Sequence, residues 1–263
     1  MTIPNPSRSG GPTNLSVRLA ETADDLRAAQ RLRFEVFVEE LGGSGELTDH
    51  DQRIEADRFD PLCRHLLLED AARAEDDRIV GVYRLMTAAA AEEAGGFYSE
   101  SEYDLTPLRE SGRRLLELGR SCLHRDYRGG DAMVHLWGGL AELVATEGAE
   151  ILFGVASFHG TDAEALAGPL SILHHRYLAP PELRVTARLP EAHPMDLLPE
   201  DQIDRVAAMR AMPSLIKGYL RLGGMVGEGA WIDRQFNTTD VCLIMDTASI
   251  TERGRALYGR GRA

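Results

Sequence analysis

RLLELGRSCLHRDYRGGDAMVHLWGGLAELVA, residues 114–145, is the stretch whose reading decides the fold. Residues 114–123 read as a strand, and His124-Arg125-Asp126-Tyr127-Arg128-Gly129-Gly130 reads as the turn that ends it. Met133, Leu136, Trp137, Leu140, Leu143 and Val144 then recur at the spacing of an amphipathic helix. A continuous apolar run over 151–157 reads as a second strand. Strand, turn, helix, strand is a βαβ unit, so the two strands are expected to lie parallel and buried.

On the N-terminal side, Leu15, Val17 and Leu19 alternate with polar residues as in a half-buried strand. Thr22, with Asp24 and Asp25 behind it, reads as the cap of a helix running to about Leu41, where Gly42 and Gly43 stop it. Runs over 63–69 and 78–87 predict an antiparallel hairpin. Residues 88–112 hold a short alanine-rich helix and a polar connection. On the C-terminal side, Thr161 and Asp162 open a helix through His175, and residues 178–200 are a Pro-rich excursion. A helical stretch then runs to about Leu222, and strands near 226–234 and 239–245 close the chain. The expected class is α/β, with a mixed, mostly antiparallel sheet. Residues 1–14 read as a disordered lead-in, 15–247 as one domain and 248–263 as a flexible basic tail.

Composition narrows the function classes. The 263 residues carry 29 Lys+Arg against 42 Asp+Glu, a formal charge of −13 that argues against a general nucleic-acid binder. No apolar run approaches a membrane span, and the N-terminus has no apolar core of a secretory signal. Three widely spaced cysteines without C-x-x-C fit reduced thiols and a cytoplasmic setting. No metal-ligand spacing is present.

The turn at 124–130 has the makings of an anion site. A helix N-terminus offers free N–H groups, Gly129 and Gly130 permit close backbone approach, and Arg125 and Arg128 stand at the mouth. Between Arg113 and Arg128 five arginines face only Glu117 and Asp126, a local +3. Glu117, on so apolar a strand, must be paired, protonated or functional. Gly119 is a candidate bulge that would turn Glu117 and Arg120 toward a common cleft; an ordinary Glu117–Arg120 ion pair is the alternative. Glu55, Asp57 and Asp60 form E-x-D-x-F-D, suited to holding an ammonium group or relaying protons, or simply solvated. Arg33, four residues before Phe37 on the helix, and Arg84 in its strand each call for a carboxylate partner or ligand.

Taken in order, R-x-x-V-F from Arg33, E-x-D-x-F-D from Glu55, Y-R-L from Tyr83 and E-L-G-R-S from Glu117 resemble the acyl-homoserine-lactone synthases. The longer runs ELGRSCLHRDYRGG, LFGVASFHGTD, LSILHHRY and KGYLRLGGMVGEGAWIDRQFNTTDVCLIM resemble more specifically the ornithine-lipid acyltransferases, over about residues 15–247. Both belong to the GCN5-related N-acetyltransferase superfamily. The resemblance implies that fold, with one splayed parallel pair, and transfer of a 3-hydroxyacyl chain from acyl carrier protein to the α-amine of L-ornithine. It implies no permanently bound cofactor; the donor is the carrier's acyl-phosphopantetheine. The superfamily's acetyl-CoA loop usually has a second glycine where this chain has Asp131, an exchange that suits a donor with a single phosphate. In this reading Glu117 is the base, and the N–H groups at Cys122 and Leu123 hold the oxyanion. Arg33 and Arg84 take the ornithine carboxylate, with Phe37 and Arg120 beside them, and Asp57 or Asp60 takes its side-chain ammonium. Arg125, Arg128, Gly129, Gly130 and Ser157 receive the pantetheine arm. An acyl-homoserine-lactone synthase and a non-catalytic carrier-binding module are the alternatives. A lipid product is compatible with peripheral contact at the inner face of the membrane.

Overall fold

The protein, a computed structural model, is described over residues 14–45, 47–129 and 131–250. Residues 1–13 of the expected lead-in, 251–263 of the expected tail, and Gly130 lie outside the described residues. The first strand, β1 (Leu15–Leu19), leads to α1 (Ala23–Arg33) and then through a wider π-helical turn over Phe34–Glu40. The hairpin is β2 (Arg64–Asp70) and β3 (Ile79–Thr87), followed by α2 (Ala88–Ala94), β4 (Tyr103–Asp104) and α3 (Thr106–Glu110). The βαβ unit is β5 (Leu115–Leu123), α4 (Ala132–Glu147) and β6 (Ile151–His159). Then come α5 (Ala167–Tyr177), β7 (Thr186–Ala187), β8 (Ala192–His193), α6 (Arg205–Ala211) and α7 (Ser214–Arg221). Three strands close the fold: β9 (Met225–Val226), β10 (Ala230–Asp233) and β11 (Thr238–Asp246).

Among the described residues the main sheet runs β1-β2-β3-β5-β6-β11-β10-β8, with β9 beside β11 and a separate β4–β7 pair. Its neighbours are antiparallel except β5 and β6, which are parallel. This is the mixed α/β sheet that the patterning predicts. Two boundaries differ. Thr22 caps α1 as expected, its hydroxyl accepting from the Asp25 N–H at 3.1 Å, but regular α-helix ends at Arg33 and a π turn completes the segment. The helix expected from Thr161 begins only at Ala167. Within the Pro-rich stretch, β8 pairs with β10 at the sheet's edge.

Each face of the sheet is covered. Leu116, Leu118, Leu152, Ala156, Leu243 and Met245 lie on the face that packs with α4, α5 and α7. Leu115, Phe153, Cys242 and Ile244 lie on the other, with Phe97 and Tyr103. The alternation is regular along β6 and β11 but not along β5. There Val82 faces Cys122 and Arg84 faces Gly119, so Arg120 and Ser121 both oppose Tyr83. This is a one-residue bulge, centred on Arg120 rather than on Gly119, and Arg120 adopts a left-handed backbone at φ +49°. The extra residue reverses the alternation, so Cys122 joins Val82 and Leu67 while Leu123 crosses to the α4 face.

The bulge separates β5 from β6. Their parallel register ends at Glu117–Phe153. The last close contact is Gly154, where a Cβ would sit 2.0 Å from the Leu118 carbonyl oxygen. Gly154→Ala must therefore push the strands apart at the point where they part; an overpacking cost of about 1–3 kcal/mol is expected, read as a lower thermal unfolding midpoint.

Candidate active site

Beyond Glu117 and Phe153 the space between β5 and β6 is a cavity of about 250 Å³. It passes through the sheet. Arg84, Glu117, Arg120, Ser157 and Asp240 line it on one side, and Leu118, Leu152, Ala156, Tyr219, Leu243 and Met245 on the other. A charged chamber thus opens into an apolar one through the gap that the bulge creates.

Glu117 is 4% exposed and accepts three hydrogen bonds from the turn that follows α2. Oε2 accepts the Tyr98 N–H at 2.9 Å, and Oε1 accepts the Ser99 N–H at 2.7 Å and the Ser99 hydroxyl at 2.5 Å. A carboxylate has about four acceptor sites, so one remains, on Oε2. Burial pushes the Glu117 carboxyl above its ordinary value, against the pull of the Ser99 and Tyr98 donors. No ion pair joins it to Arg120, so the alternative reading of this pair does not hold.

The arginines and carboxylates of the first half close on one another. Arg33, fully buried, binds Glu55 at 2.5 Å and Asp60 at 2.8 Å. Arg84 Nη1 binds both oxygens of Asp57 at 2.6 Å and Asp60 at 2.9 Å. Arg120 reaches Glu55 at 3.2 Å and Asp57 at 3.0 Å. Three cations and three anions form a neutral lattice. Burial alone would raise the Asp60 and Asp57 carboxyls; Arg33 and Arg84 for the first, Arg84 and Arg120 for the second, override it and hold both below the ordinary range. Arg33, Asp57 and Asp60 therefore do not present themselves to a ligand, and none lines the cavity. Arg84 and Arg120 do line it, with Phe37; the Arg120 guanidinium lies 4.6 Å from the Tyr98 ring centroid and 5.2 Å from that of Phe236.

The loop after β5 is less basic in space than in sequence. Arg128 binds Glu40 at 2.8 Å, and Arg125 approaches Glu40 and Glu35 at 3.5 and 3.7 Å, so the π turn of the first helix supplies anions to the island. Gly129 takes φ +81°, and Asp131 stands before α4 without a side-chain cap. The His124 N–H donates to the Val80 carbonyl at 2.9 Å, and ladder alternation then directs the Cys122 N–H toward β3 as well. Of the two expected donors, the Leu123 N–H is the one that the same alternation turns away from β3. Cys122 is thereby removed as an oxyanion donor, and burial pushes its thiol up to about 12. Ser157 lies at the cavity's far wall, opposite Asp240 in the β6–β11 ladder.

A second buried charge cluster sits there. Carboxylate oxygens of Glu102, Asp233 and Asp240 lie within 4.8 Å of one another, and all three residues are buried. Burial, then the neighbouring Asp240 and Asp233, push the Glu102 carboxyl well up. Burial raises Asp240 to about 6, with Ser157 opposing and Asp233 adding.

A family profile described as an acetyltransferase (GNAT) domain matches residues 32–138. The L-ornithine N(alpha)-acyltransferase of Rhodobacter capsulatus is 58% identical over 254 residues, 96% of this chain and 97% of the relative. That of Brucella abortus is 44% identical over 250 residues, 94% and 89% of the two chains. The chain belongs to this acyltransferase family. Two solved structures share the fold. FeeM, an N-acyl amino acid synthase from uncultured soil microbes, has a TM-score of 0.54 at 11% identity, covering 92% of this chain and 97% of its own. The CoA-dependent acyl-homoserine lactone synthase BjaI has a TM-score of 0.51 at 14% identity, covering 94% and 89%. The much higher identity to the ornithine acyltransferases sets the lactone-synthase alternative aside, and membership of an enzyme family sets aside the non-catalytic one.

Tyr98, Ser99, Asp233 and Asp240, which line the cavity, and Glu102 beside the last two are not singled out by the sequence patterning. Asp240 carried the signal that singled out Glu117, an acid inside an apolar strand, TTDVCLIMD. Glu102 lies in a polar connection and had none. Asp240 titrates near 6 against 3.8 in an unfolded chain, so the fold holds its proton more tightly than the unfolded state does. Its ionisation therefore costs stability as pH rises from about 4 through about 6. Asp240→Asn removes that cost. In substrate-free thermal unfolding, the variant's advantage over wild type is expected to grow across this window and level off above it.

Proposed function

We propose that this acyltransferase moves a 3-hydroxyacyl chain from the phosphopantetheine thioester of acyl carrier protein to the α-amine of L-ornithine, giving a lyso-ornithine lipid. The observation that carries the reading is the single cavity joining a charged chamber to an apolar one through the sheet. An amino acid and a fatty thioester need opposite surroundings yet must meet at one carbonyl. The gap between β5 and β6 offers both within one space.

The reaction requires a neutral amine, a proton acceptor and a donor for the developing oxyanion. Ornithine enters as an α-ammonium. Glu117 takes its proton, through the open Oε2 position and a bridging water, and the freed lone pair attacks the thioester carbonyl. The new C–N bond forms, the carbonyl oxygen gains charge within reach of the Leu123 N–H, and collapse breaks the C–S bond. The nitrogen loses its second proton as the pantetheine sulfur leaves as thiol. The cavity-facing edges of Arg84 and Arg120 hold the α-carboxylate, and the ion lattice behind them fixes both guanidiniums. Preorganisation of this kind lets the arginines bind without first paying the entropy of ordering.

The pantetheine arm enters beside the 124–130 loop, with Arg125, Arg128 and Gly129 around its phosphate and Arg128 exchanging Glu40 for it. Asp131 at the start of α4 disfavours a CoA pyrophosphate. Among the described residues no helix is long and apolar enough to cross a membrane; release of a lipid product calls for peripheral contact with the inner face of the membrane.

Incubation with 3-hydroxyacyl carrier protein and L-ornithine is expected to release free carrier thiol and a product carrying the acyl group on the α-nitrogen, identified by mass spectrometry; thiol release independent of ornithine would refute the acceptor. Glu117→Gln should lower kcat by about 10²–10⁴ with little change in KM for ornithine and an unchanged far-UV spectrum, whereas a near-wild-type rate would place the base elsewhere. The donor is checked separately: kcat/KM for the acyl carrier protein should exceed that for the matching acyl-CoA at least tenfold, and equal values would overturn the carrier assignment.

A further inference from the structure

The Glu102–Asp233–Asp240 cluster has no counter-charge. Among the described residues, no arginine, lysine or histidine forms an ion pair with any of the three. Arg120 bears on Glu102 and Asp240 only at longer range and is already engaged by Glu55 and Asp57. Asp233 uses Oδ1 to accept the Gln235 and Phe236 N–H groups at 2.7 and 3.0 Å, an ordinary turn. The other two are different. Glu102 Oε2 and Asp240 Oδ1 are buried and accept no hydrogen bond, and the residues are 2% and 3% exposed. Buried carboxylate oxygens without a donor are costly, and a cationic donor is the chemistry that would satisfy them.

Their position says what. Asp233 and Asp240 line the same cavity as Glu117 and Arg120, on the same face of the sheet, with β6 alone between β5 and β11. Two strand spacings come to roughly 10 Å. An extended diamino acid spans roughly 5 Å from α-carbon to terminal nitrogen, and the side chains of β5 and β11 close the remainder.

We propose that Asp240 and Asp233, which line the cavity, with Glu102 behind them within 4.8 Å, form the subsite for the side-chain ammonium of the acceptor and so select a cationic amino acid over a neutral one of the same length. The proposal rests on the acyl transfer to ornithine proposed above. The −NH₃⁺ group has three donors, which match the two orphaned oxygens and the adjoining carboxylate, and its charge offsets the repulsion among the acids. The family's E-x-D-x-F-D carboxylates cannot do this here, because Arg33, Arg84 and Arg120 already neutralise them.

The test compares L-ornithine with L-norvaline, which has the same carbon chain without the δ-amine, in wild type, Asp240→Asn and Glu102→Gln. Wild type should favour ornithine in kcat/KM, and each variant should lower the ornithine-to-norvaline ratio by about 10- to 100-fold, mainly through KM for ornithine. An unchanged ratio in both variants would overturn the proposal. Thermal shift without donor supplies a readout independent of turnover: ornithine, not norvaline, should stabilise wild type, and Asp240→Asn should abolish the effect. If wild type transfers no acyl group to ornithine, the proposed reaction falls, and the thermal shift still decides the subsite. Stabilisation by Mg²⁺, Ca²⁺ or Mn²⁺ that is lost in Asp240→Asn, with none by ornithine, would assign the cluster to a divalent cation and overturn the ammonium reading.

Discussion

Arg120 stands in a left-handed backbone that non-glycine residues adopt at a cost, and the site depends on its being held there. Glu55 and Asp57 bind its guanidinium, and the rings of Tyr98 and Phe236 flank it. These contacts keep one extra residue in β5 opposite Tyr83. Without the bulge, β5 would continue beside β6, the ladder would run past Glu117, and the sheet would be closed. The lattice of Arg33, Arg84 and Arg120 with three acids is therefore best understood as a frame: breaking one buried partner leaves an uncompensated charge and releases the strand geometry at once.

Two clusters of buried acids in this chain behave oppositely for one reason. Asp57 and Asp60 are held below the ordinary range because guanidiniums meet them, whereas burial and the neighbouring acids raise Asp240 and Glu102, with no guanidinium in ion-pair contact to offset them. The first kind lends stability to the free protein and the second withdraws it. A stabilising carboxylate is already satisfied and has little left to give a ligand; a destabilising one becomes favourable only on binding. This contrast is what moves the ammonium subsite away from the residues to which family resemblance assigns it.

The frame of the fold was legible because it is written in periodicity. The βαβ unit at 114–157, the hairpin at 63–87 and the capped start of α1 follow from spacing and from Thr22. What escaped was set by contacts distant in sequence. The π turn at Phe34–Glu40 is a slip of one hydrogen bond that no spacing rule marks, yet it carries Glu40 to Arg128 and Phe37 to the cavity. The bulge belongs to Arg120 rather than to the permissive Gly119, since ion pairs outweighed backbone preference. Glu117 was visible as an acid on an apolar strand. Its anchors, Tyr98 and Ser99, sit in a segment with no pattern at all.

The same geometry bears on how an acyl chain and an amine are kept in register. The two sides of the cavity meet just beyond the last close contact of the strands, that of Gly154 with Leu118, so in the proposed reaction a thioester seated there presents its carbonyl close to Glu117 while its chain continues past Leu118 and Leu152 on the α4 face. A neutral amino acid could enter the charged side and still slide along it. An ammonium fixed at β11 and a carboxylate fixed at β5 remove that freedom, leaving the α-nitrogen between them beside the carbonyl. Selectivity for a cationic side chain and orientation for attack would then arise from one constraint, the span of the acceptor across β6.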